Sequence, residues 1–461
     1  MPEERNPILA SFKNIFNITE LRNRLLIMLG LLFVYRVGSH VPVPGIDHKA
    51  LEAVFGRGGT LFNFLDVFAG GNLRRFSIFA LGIMPYITAS IILQLLTVVV
   101  PYLEKLSKEG ELGRKKITEY TRYLTVVLTL FQGFMFAVGF EKMNVVLHAG
   151  WGFRLMTMIT LSTGTAFIMW IGEQITERGV GNGISLIIFA GIVAGLPSAM
   201  NQVYVKLATS EWSIIHVGIL LAVMIATIAG VVYVERGQRK IPIQYAKRVV
   251  GRKVMGGQST HLPLRVNAAG VIPVIFAASI VAFPMTFQQA FPNSRVLSEL
   301  GRQLGQGMPL YNLLYVVGII IFTFFYVGVI YNPTDVADNI RKYGGFIPGI
   351  RPGQRTAELI DRILGRLTFA GAIYLVLICL LPEFMITGFK LHELPTWLGG
   401  NFFSRLPDWF LRGLGVNFYF GGTSLLIVVG VAMDTLQQIE SQLIMRHYEG
   451  FLKKGRIRGR R

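Results

Sequence analysis

The sequence predicts an all-α membrane protein with ten transmembrane helices, and three observations carry that reading. Of its 461 residues, 52% are hydrophobic and only 15% charged, whereas a soluble domain carries about a quarter charged residues. Apolar runs of about twenty residues, each long enough to cross a bilayer as a helix, recur along the whole chain. Lys and Arg are also distributed unevenly between alternate connecting segments. This composition excludes a soluble enzyme, a secreted disulfide scaffold and a disordered protein.

The spans, taken in order, are 22–40, 76–100, 121–141, 153–172, 184–201, 213–234, 267–289, 311–331, 367–387 and 418–436. The first is too long for a signal peptide, carries Arg36 near its far end, and is followed by no small-residue cleavage site. With the N-terminus placed in the cytoplasm, the cytoplasmic segments, counted with Arg22, Arg24 and Arg122 at the cytoplasmic ends of their spans, hold 32 of the 45 Lys and Arg and the external ones 11, with Arg36 and Arg154 inside the other span edges. That asymmetry places both termini in the cytoplasm. It also accounts for much of the net charge of +19, since basic loops hold orientation and touch anionic lipids.

Ten spans divide into two sets of five near Asn201–Trp212. An odd number per half makes the second enter from the opposite side, an inverted-topology repeat. The expected organisation is an N-terminal half, 1–200, a C-terminal half, 201–436, and a basic cytoplasmic tail, 437–461. One direct trace of the repeat survives. Gly82-Ile83-Met84-Pro85-Tyr86-Ile87-Thr88-Ala89 and Gly270-Val271-Ile272-Pro273-Val274-Ile275-Phe276-Ala277 both fit G-x-x-P-x-I-x-A, at equivalent places in the two halves. Gly and Pro release backbone groups, which a membrane helix tolerates only beside protein or water. The functional centre is therefore expected between these two helices.

Span interiors contain essentially no ionisable residues; Arg36, Glu383 and Asp434 lie near span ends, and Glu173, Glu177 and Arg178 in a cytoplasmic turn. The polar residues that remain are uncharged: Thr88, Ser90, Gln94, Gln132, Thr163, Thr165 and Asn267. A secondary transporter of a small solute is the alternative an inverted repeat offers, but such carriers keep carboxylates or histidines at mid-membrane. An intramembrane enzyme would need paired aspartates, a Ser/His pair or HExxH, and none is present. Cys379 is the single cysteine, the histidines are scattered without metal-ligand spacing, and no Walker sequence occurs. The glycine-rich Gly179–Gly183 lacks the preceding strand and following lysine of a phosphate loop. No catalytic residue, metal or cofactor is expected.

Two cytoplasmic segments exceed what orientation requires. Residues 235–265 carry eight Lys and Arg, including Arg239, Lys240, Arg252 and Lys253, and the long segment 332–366 contains Arg351 within Gly349-Ile350-Arg351-Pro352-Gly353. Their size and charge suggest docking of something large and acidic, ribosomal RNA or a cytoplasmic protein. The first external segment places Leu61, Phe64, Leu65 and Phe68 at helical spacing between glycines, ending at Gly70 and Gly71. About ten helical residues span roughly 15 Å, half a bilayer. This helix either lies on the outer surface or folds back into a protein cavity.

At these residues the chain resembles the SecY family, the channel subunits of the bacterial Sec protein translocon. The resemblance covers essentially the whole chain. It is most specific at Ile78–Val98 (IFALGIMPYITASIILQLLTV), Trp170–Pro197, Gln258–Phe276 (QSTHLPLRVNAAGVIPVIF), Asn339–Gly353 and Phe420–Val428 (FGGTSLLIV); the external region 390–417 looks longer than usual. The resemblance implies two five-helix halves around a central hourglass pore that passes unfolded secretory proteins and releases signal helices sideways into lipid. It assigns the waist ring to Ile83, Ile87, Ile184, Ile188, Ile275 and Ile427. It makes the helix Thr60–Ala69 a plug (Thr60, Leu61, Phe64, Leu65, Phe68), about 60–71 with its hinge at Gly70 and Gly71. A lateral gate would be bridged by Thr88, Gln132 and Asn267. Arg239, Lys240, Arg252, Lys253 and Arg351 would dock the ribosome and the SecA ATPase. The implied partners are the small membrane subunits SecE and SecG, SecA, the ribosome, signal peptides and nascent chains, and anionic lipids, in the bacterial inner membrane.

Overall fold

The computed structural model describes residues 18–57, 66, 69–210, 212–245, 248–250, 253–255, 260–290, 301, 303–305, 308–387 and 422–454. In chain order the elements are α1 (Thr19–Gly38), α2 (His48–Arg57), α3 (Met84–Val99), α4 (Pro101–Lys108), α5 (Glu111–Lys142), α6 (Trp151–Arg178), α7 (Gly183–Ala208) and α8 (Ile214–Arg236). Then come β1 (Gln238–Tyr245), β2 (Arg248–Val250), β3 (Lys253–Met255), β4 (Thr260–Arg265), α9 (Ile272–Ala290), α10 (Pro309–Ile330), α11 (Pro333–Lys342), β5 (Gly345–Phe346), α12 (Gln354–Thr387) and α13 (Gly422–Lys454). A helix occupies each of the ten predicted spans. Among the described residues six helical stretches are long and apolar enough to cross a membrane alone, and α3 with α4, bent by 100°, makes a seventh. The bend falls where Val100, extended at φ −97° and ψ 113°, precedes Pro101, since a residue before proline is pushed out of the helical region.

The chain forms two compact units, Met1–Ser198 with Ala282–Gly301 and Val431–Arg461, and Ala199–Val281 with Arg302–Gly430. In the first unit, α5 and α6 are locked at both ends by ion pairs. Arg122 makes a bidentate bond to Glu173 at 2.8 Å. At the other end Glu141 accepts from Arg154 Nε at 2.8 Å and from the Gly150 backbone N–H at 2.9 Å.

The second predicted span differs from expectation. Residues 76–83 are apolar and buried, with Phe76 and Phe79 almost fully enclosed, yet they form turns, and helix α3 begins only at Met84. Hydropathy reports burial without saying whether lipid or protein surrounds a segment. Here the irregular backbone is satisfied by protein: Val43 N–H donates to Phe76 O and Ile78 N–H to Val41 O, both at 2.9 Å.

In the second unit the two long cytoplasmic segments, read from sequence as loops, fold together. Strands β4, β1 and β5 make one sheet in that order, with β1 antiparallel to both neighbours, and β2 pairs with β3. Ile241 and Ile243 point from β1 into two small apolar cores, one with Leu264 and Ile347, the other with Ile340 and Ile360. Both basic residues of β1, Arg239 and Lys240, are exposed; Lys240 alternates with Ile241 and Ile243, whereas Arg239 precedes them on their own face of the strand.

The repeated G-x-x-P motif has the same local geometry in both units. Gly82 and Gly270 adopt φ +56° and +61°, a left-handed conformation costly for any residue with a Cβ. The helix starts two residues later, at Met84 or Ile272, with Pro85 or Pro273 next in its first turn, where a missing N–H costs nothing. The first helical bonds close identically, from Ile87 N–H to Ile83 O at 3.1 Å and from Ile275 N–H to Val271 O at 3.3 Å. Gly and Pro thus start helices here rather than break them. A Cβ at Gly270 would have open space, as would one at Gly218 within α8. Gly270→Ala should therefore lower stability by about 1–2 kcal/mol through backbone strain alone, seen as earlier melting in detergent, while Gly218→Ala should cause no loss.

Candidate functional site

Five of the six isoleucines are placed by two kinds of helix start. Ile83 precedes α3 and Ile87 closes its first turn, and both are buried. Ile184 and Ile188 come just after the turn Gly179–Gly183. Asn182 Oδ1 accepts there from Ile184 N–H at 3.1 Å, Gly183 N–H donates to Thr176 Oγ1 at 2.9 Å, and Gly181 N–H to Gln438 Oε1 at 2.9 Å. These side chains occupy the amide donors that a phosphate loop would need open, so the turn is a helix connector. Ile188 is buried and Ile184 half-buried, one turn apart on the same face of α7. In the second unit, Ile275 is buried at the same slot of α9 that Ile87 fills in α3, and Ile427 is fully buried in α13. Gly430 leaves room for the Val271 side chain.

The three expected gate residues are all buried. Thr88 Oγ1 donates back to Met84 O at 3.0 Å. Gln132 continues a buried stripe on α5 formed by Thr121, Thr125 and Thr129, whose hydroxyls donate to carbonyls one turn earlier. Asn267 is engaged within its own unit, through bonds to Glu235 and to the Gly270 carbonyl.

Thr60, Leu61, Phe64, Leu65 and Phe68, expected as plug, lie outside the described residues, as does the external region 390–417. The glycines expected to hinge the plug differ in their surroundings, Gly70 closely packed and Gly71 open. Gly70, at φ +71°, lies so close to Gly191 that a Cβ would meet its Cα at 2.7 Å. Asn72 Nδ2 donates to Tyr35 Oη of α1 at 3.1 Å. Asp66, not singled out from sequence, is buried and accepts the Arg74 backbone N–H at 2.9 Å through Oδ1, while its carbonyl accepts from Gly71 N–H at 2.9 Å. No local pattern marks a carboxylate whose partner sits eight residues further on.

Among the expected docking residues, Arg239 and Lys240 are exposed on β1. Arg351 is exposed too, while its carbonyl accepts from Thr356 Oγ1 at 3.0 Å at the start of α12. Lys253 belongs to β3, and Arg252 lies outside the described residues.

Helices in all ten predicted spans, a motif repeated with the same backbone geometry in both units, and a basic module folded from two segments describe a polytopic membrane protein, and the proteins it resembles are translocation channels. The SecY family profile matches residues 77–436. A protein translocase subunit SecY of Vibrio cholerae is 48% identical over 451 residues, covering 96% of each chain. Among solved structures, a SecY channel whose plug domain stabilises the closed state and maintains a membrane seal superposes with TM-score 0.63, at 17% identity over 92% of both chains. Sec61 in a canine ribosome–channel complex superposes with TM-score 0.59, at 16% identity over 92% and 93%. The chain belongs to the SecY family.

Burial pushes the Asp66 carboxyl above the usual carboxylate range, against the pull of the Arg74 and Leu73 backbone N–H groups and the charges of Arg74 and Arg75. A raised carboxyl favours folding below its unfolded pKa, and that contribution is lost as pH rises through the folded value. Asp66→Asn keeps the acceptor oxygen and removes the buried charge. Its melting temperature should exceed the parent's by a few degrees near neutral pH, with the gap closing toward about pH 4.

Proposed function

We infer that this chain is the channel subunit of a bacterial protein translocase, a multi-pass inner-membrane protein that passes unfolded secretory polypeptides across the bilayer and releases apolar helices into it. The observation that carries the reading most directly is the shared slot of Ile87 and Ile275, within a chain that belongs to the SecY family along most of its length.

In this reading Ile83, Ile87, Ile184, Ile188, Ile275 and Ile427 ring the waist of a pore. β-branched side chains without hydrogen-bonding groups hold water poorly, and a dewetted constriction blocks ions. The same ring yields around an extended chain because apolar contacts have no preferred direction. Segment 60–71 acts as a plug, supported by the sealing role of the plug domain in the similar SecY channel. Thr88, Gln132 and Asn267 bridge a lateral gate. A helix entering there moves into lipid once it gains about 0.5 kcal/mol per strongly apolar residue.

The basic module presents the exposed Arg239, Lys240 and Arg351 to an acidic partner, and Arg252 and Lys253 add their charges to the same role. The ribosome and the SecA ATPase fit that role, the first supported by the ribosome-bound Sec61 likeness. The exposed apolar flank of α8, with Ile214, Ile215 and Ile225, suits lipid and the small subunits SecE and SecG. With no nucleotide-binding sequence in the chain, the driving force comes from such a partner or from the membrane potential.

Replacing Ile87 and Ile275 by Ser should raise the resting ion conductance of vesicles carrying the channel. Parental conductance would remove these residues from the seal. Arg351→Glu should slow motor-driven secretion about tenfold, the scale of one lost charge-assisted contact, at unchanged abundance in the membrane. Normal secretion would take Arg351 out of the docking surface.

A further inference from the structure

The neck of the β1–β4 hairpin holds a buried carboxylate that the channel reading does not use. Glu235 lies in the last turn of α8, shortly before β1 begins at Gln238, and is 6% exposed. Its Oε1 accepts from Asn267 Nδ2 at 2.6 Å. Asn267, 3% exposed, lies just beyond β4 on the other side of the neck. The same Nδ2 donates to the carbonyl of Gly270 at 3.1 Å, and Asn267 Oδ1 is buried without a hydrogen-bond partner. The side chain is therefore held through its amide protons alone. Around this clasp the backbone is closed as well. Val266 N–H donates to Gly237 O at 3.0 Å, and Gly371 of α12 approaches so closely that a Cβ there would meet Val266 O at 2.9 Å.

One turn beyond Gly270, α9 presents Ile275. We propose that Glu235 is a positioning residue for the channel: by gripping Asn267 it fixes where α9 begins and so holds Ile275 and Asn267 in the arrangement of the idle state. This rests on the reading of those two residues as ring and gate. A hydrogen bond to a charged, buried acceptor is among the stronger ones a protein makes. Its loss frees the non-helical stretch 266–271 and loosens the start of α9. A loosened gate accepts signal sequences too weak to open the parent.

The test is translocation by the complete translocase in vesicles, comparing a reporter carrying an intact signal with one whose apolar core is shortened. Glu235→Ala should raise the ratio of shortened-signal to intact-signal transport about tenfold, whereas Glu235→Gln, which keeps an acceptor oxygen, should stay near the parent. A purely structural role would lower both rates together and leave the ratio alone, overturning the proposal. So would an equal gain in Glu235→Gln, which would place the effect in the charge and not in the bond. If Glu235→Ala does not accumulate, Asn267→Asp brings two carboxylates into contact. That variant should be permissive, and adding Glu235→Gln should bring the ratio back toward the parent; no recovery overturns the clasp. Asn267→Ala separates the two levels. Permissive Asn267→Ala with silent Glu235 variants removes only the clasp, while a silent Asn267→Ala removes the gate reading beneath it.

Discussion

A backbone that leaves the helical path among apolar surroundings must find partners for its amides within the protein, and that constraint shapes the architecture of this chain. An unpaired amide in such a place costs several kcal/mol, so each departure from helix is short and enclosed. Residues 76–83 are bridged to 41–43. The turn Gly179–Gly183 is filled by Thr176, Asn182 and Gln438. Stretch 266–271 is closed by Gly237 and Asn267. All the expected ring residues except Ile427 sit at or just past one of these three departures. A helix that starts in the interior, rather than at the membrane surface, can place an apolar side chain at mid-depth on its first turn, where the residue's position is set by the start of the helix.

On the proposed reading, that placement serves a seal made of isoleucine. Burying such a side chain is worth about 1.5–3 kcal/mol, and the gain is insensitive to the exact partner. A ring of this kind can therefore close on itself, on water-poor space, or on a passing chain without a specific contact being broken. Polar residues would make a better-defined closed state and a leakier one. Some of the chain's buried polar groups are held by local bonds, such as the threonine hydroxyls of α5 that turn back to their own backbone. A hydroxyl satisfied inside its own helix neither conducts ions nor holds a substrate.

Hydropathy made the ten helices legible because a span announces itself by length and composition, whatever it packs against. The same property hid the true start of α3, since Phe76 and Phe79 are as apolar as any lipid-facing residue. The cytoplasmic sheet was invisible for a different reason. Its strands are two to eight residues long, too short for alternation to stand out among the basic residues of β1, and its cores draw Ile241, Ile340 and Ile360 from segments about a hundred residues apart. The repeated motif was readable as sequence, but its meaning was not. Only the left-handed Gly82 and Gly270 show that proline here opens a helix. The Glu235–Asn267 bond joins residues 32 apart, and nothing local to either predicts the other.

The folded basic module also changes what docking can do. A flexible loop carrying Arg239, Lys240 and Arg351 would bind a partner and absorb any movement in its own slack. Here Arg239 pairs with Leu264 across the hairpin, β4 ends at Arg265, and α9 begins at Ile272. The short stretch between them is pinned by the Val266 and Asn267 bonds and by the close approach of α12. A packed core resists small strains and transmits them. On the proposed docking role, displacement of the hairpin by a bound partner would arrive at the first turn of α9, where Ile275 stands, with little chain in which to dissipate. The exposed Arg239 and the buried Ile275 are thereby joined through one short, hydrogen-bonded stretch of chain.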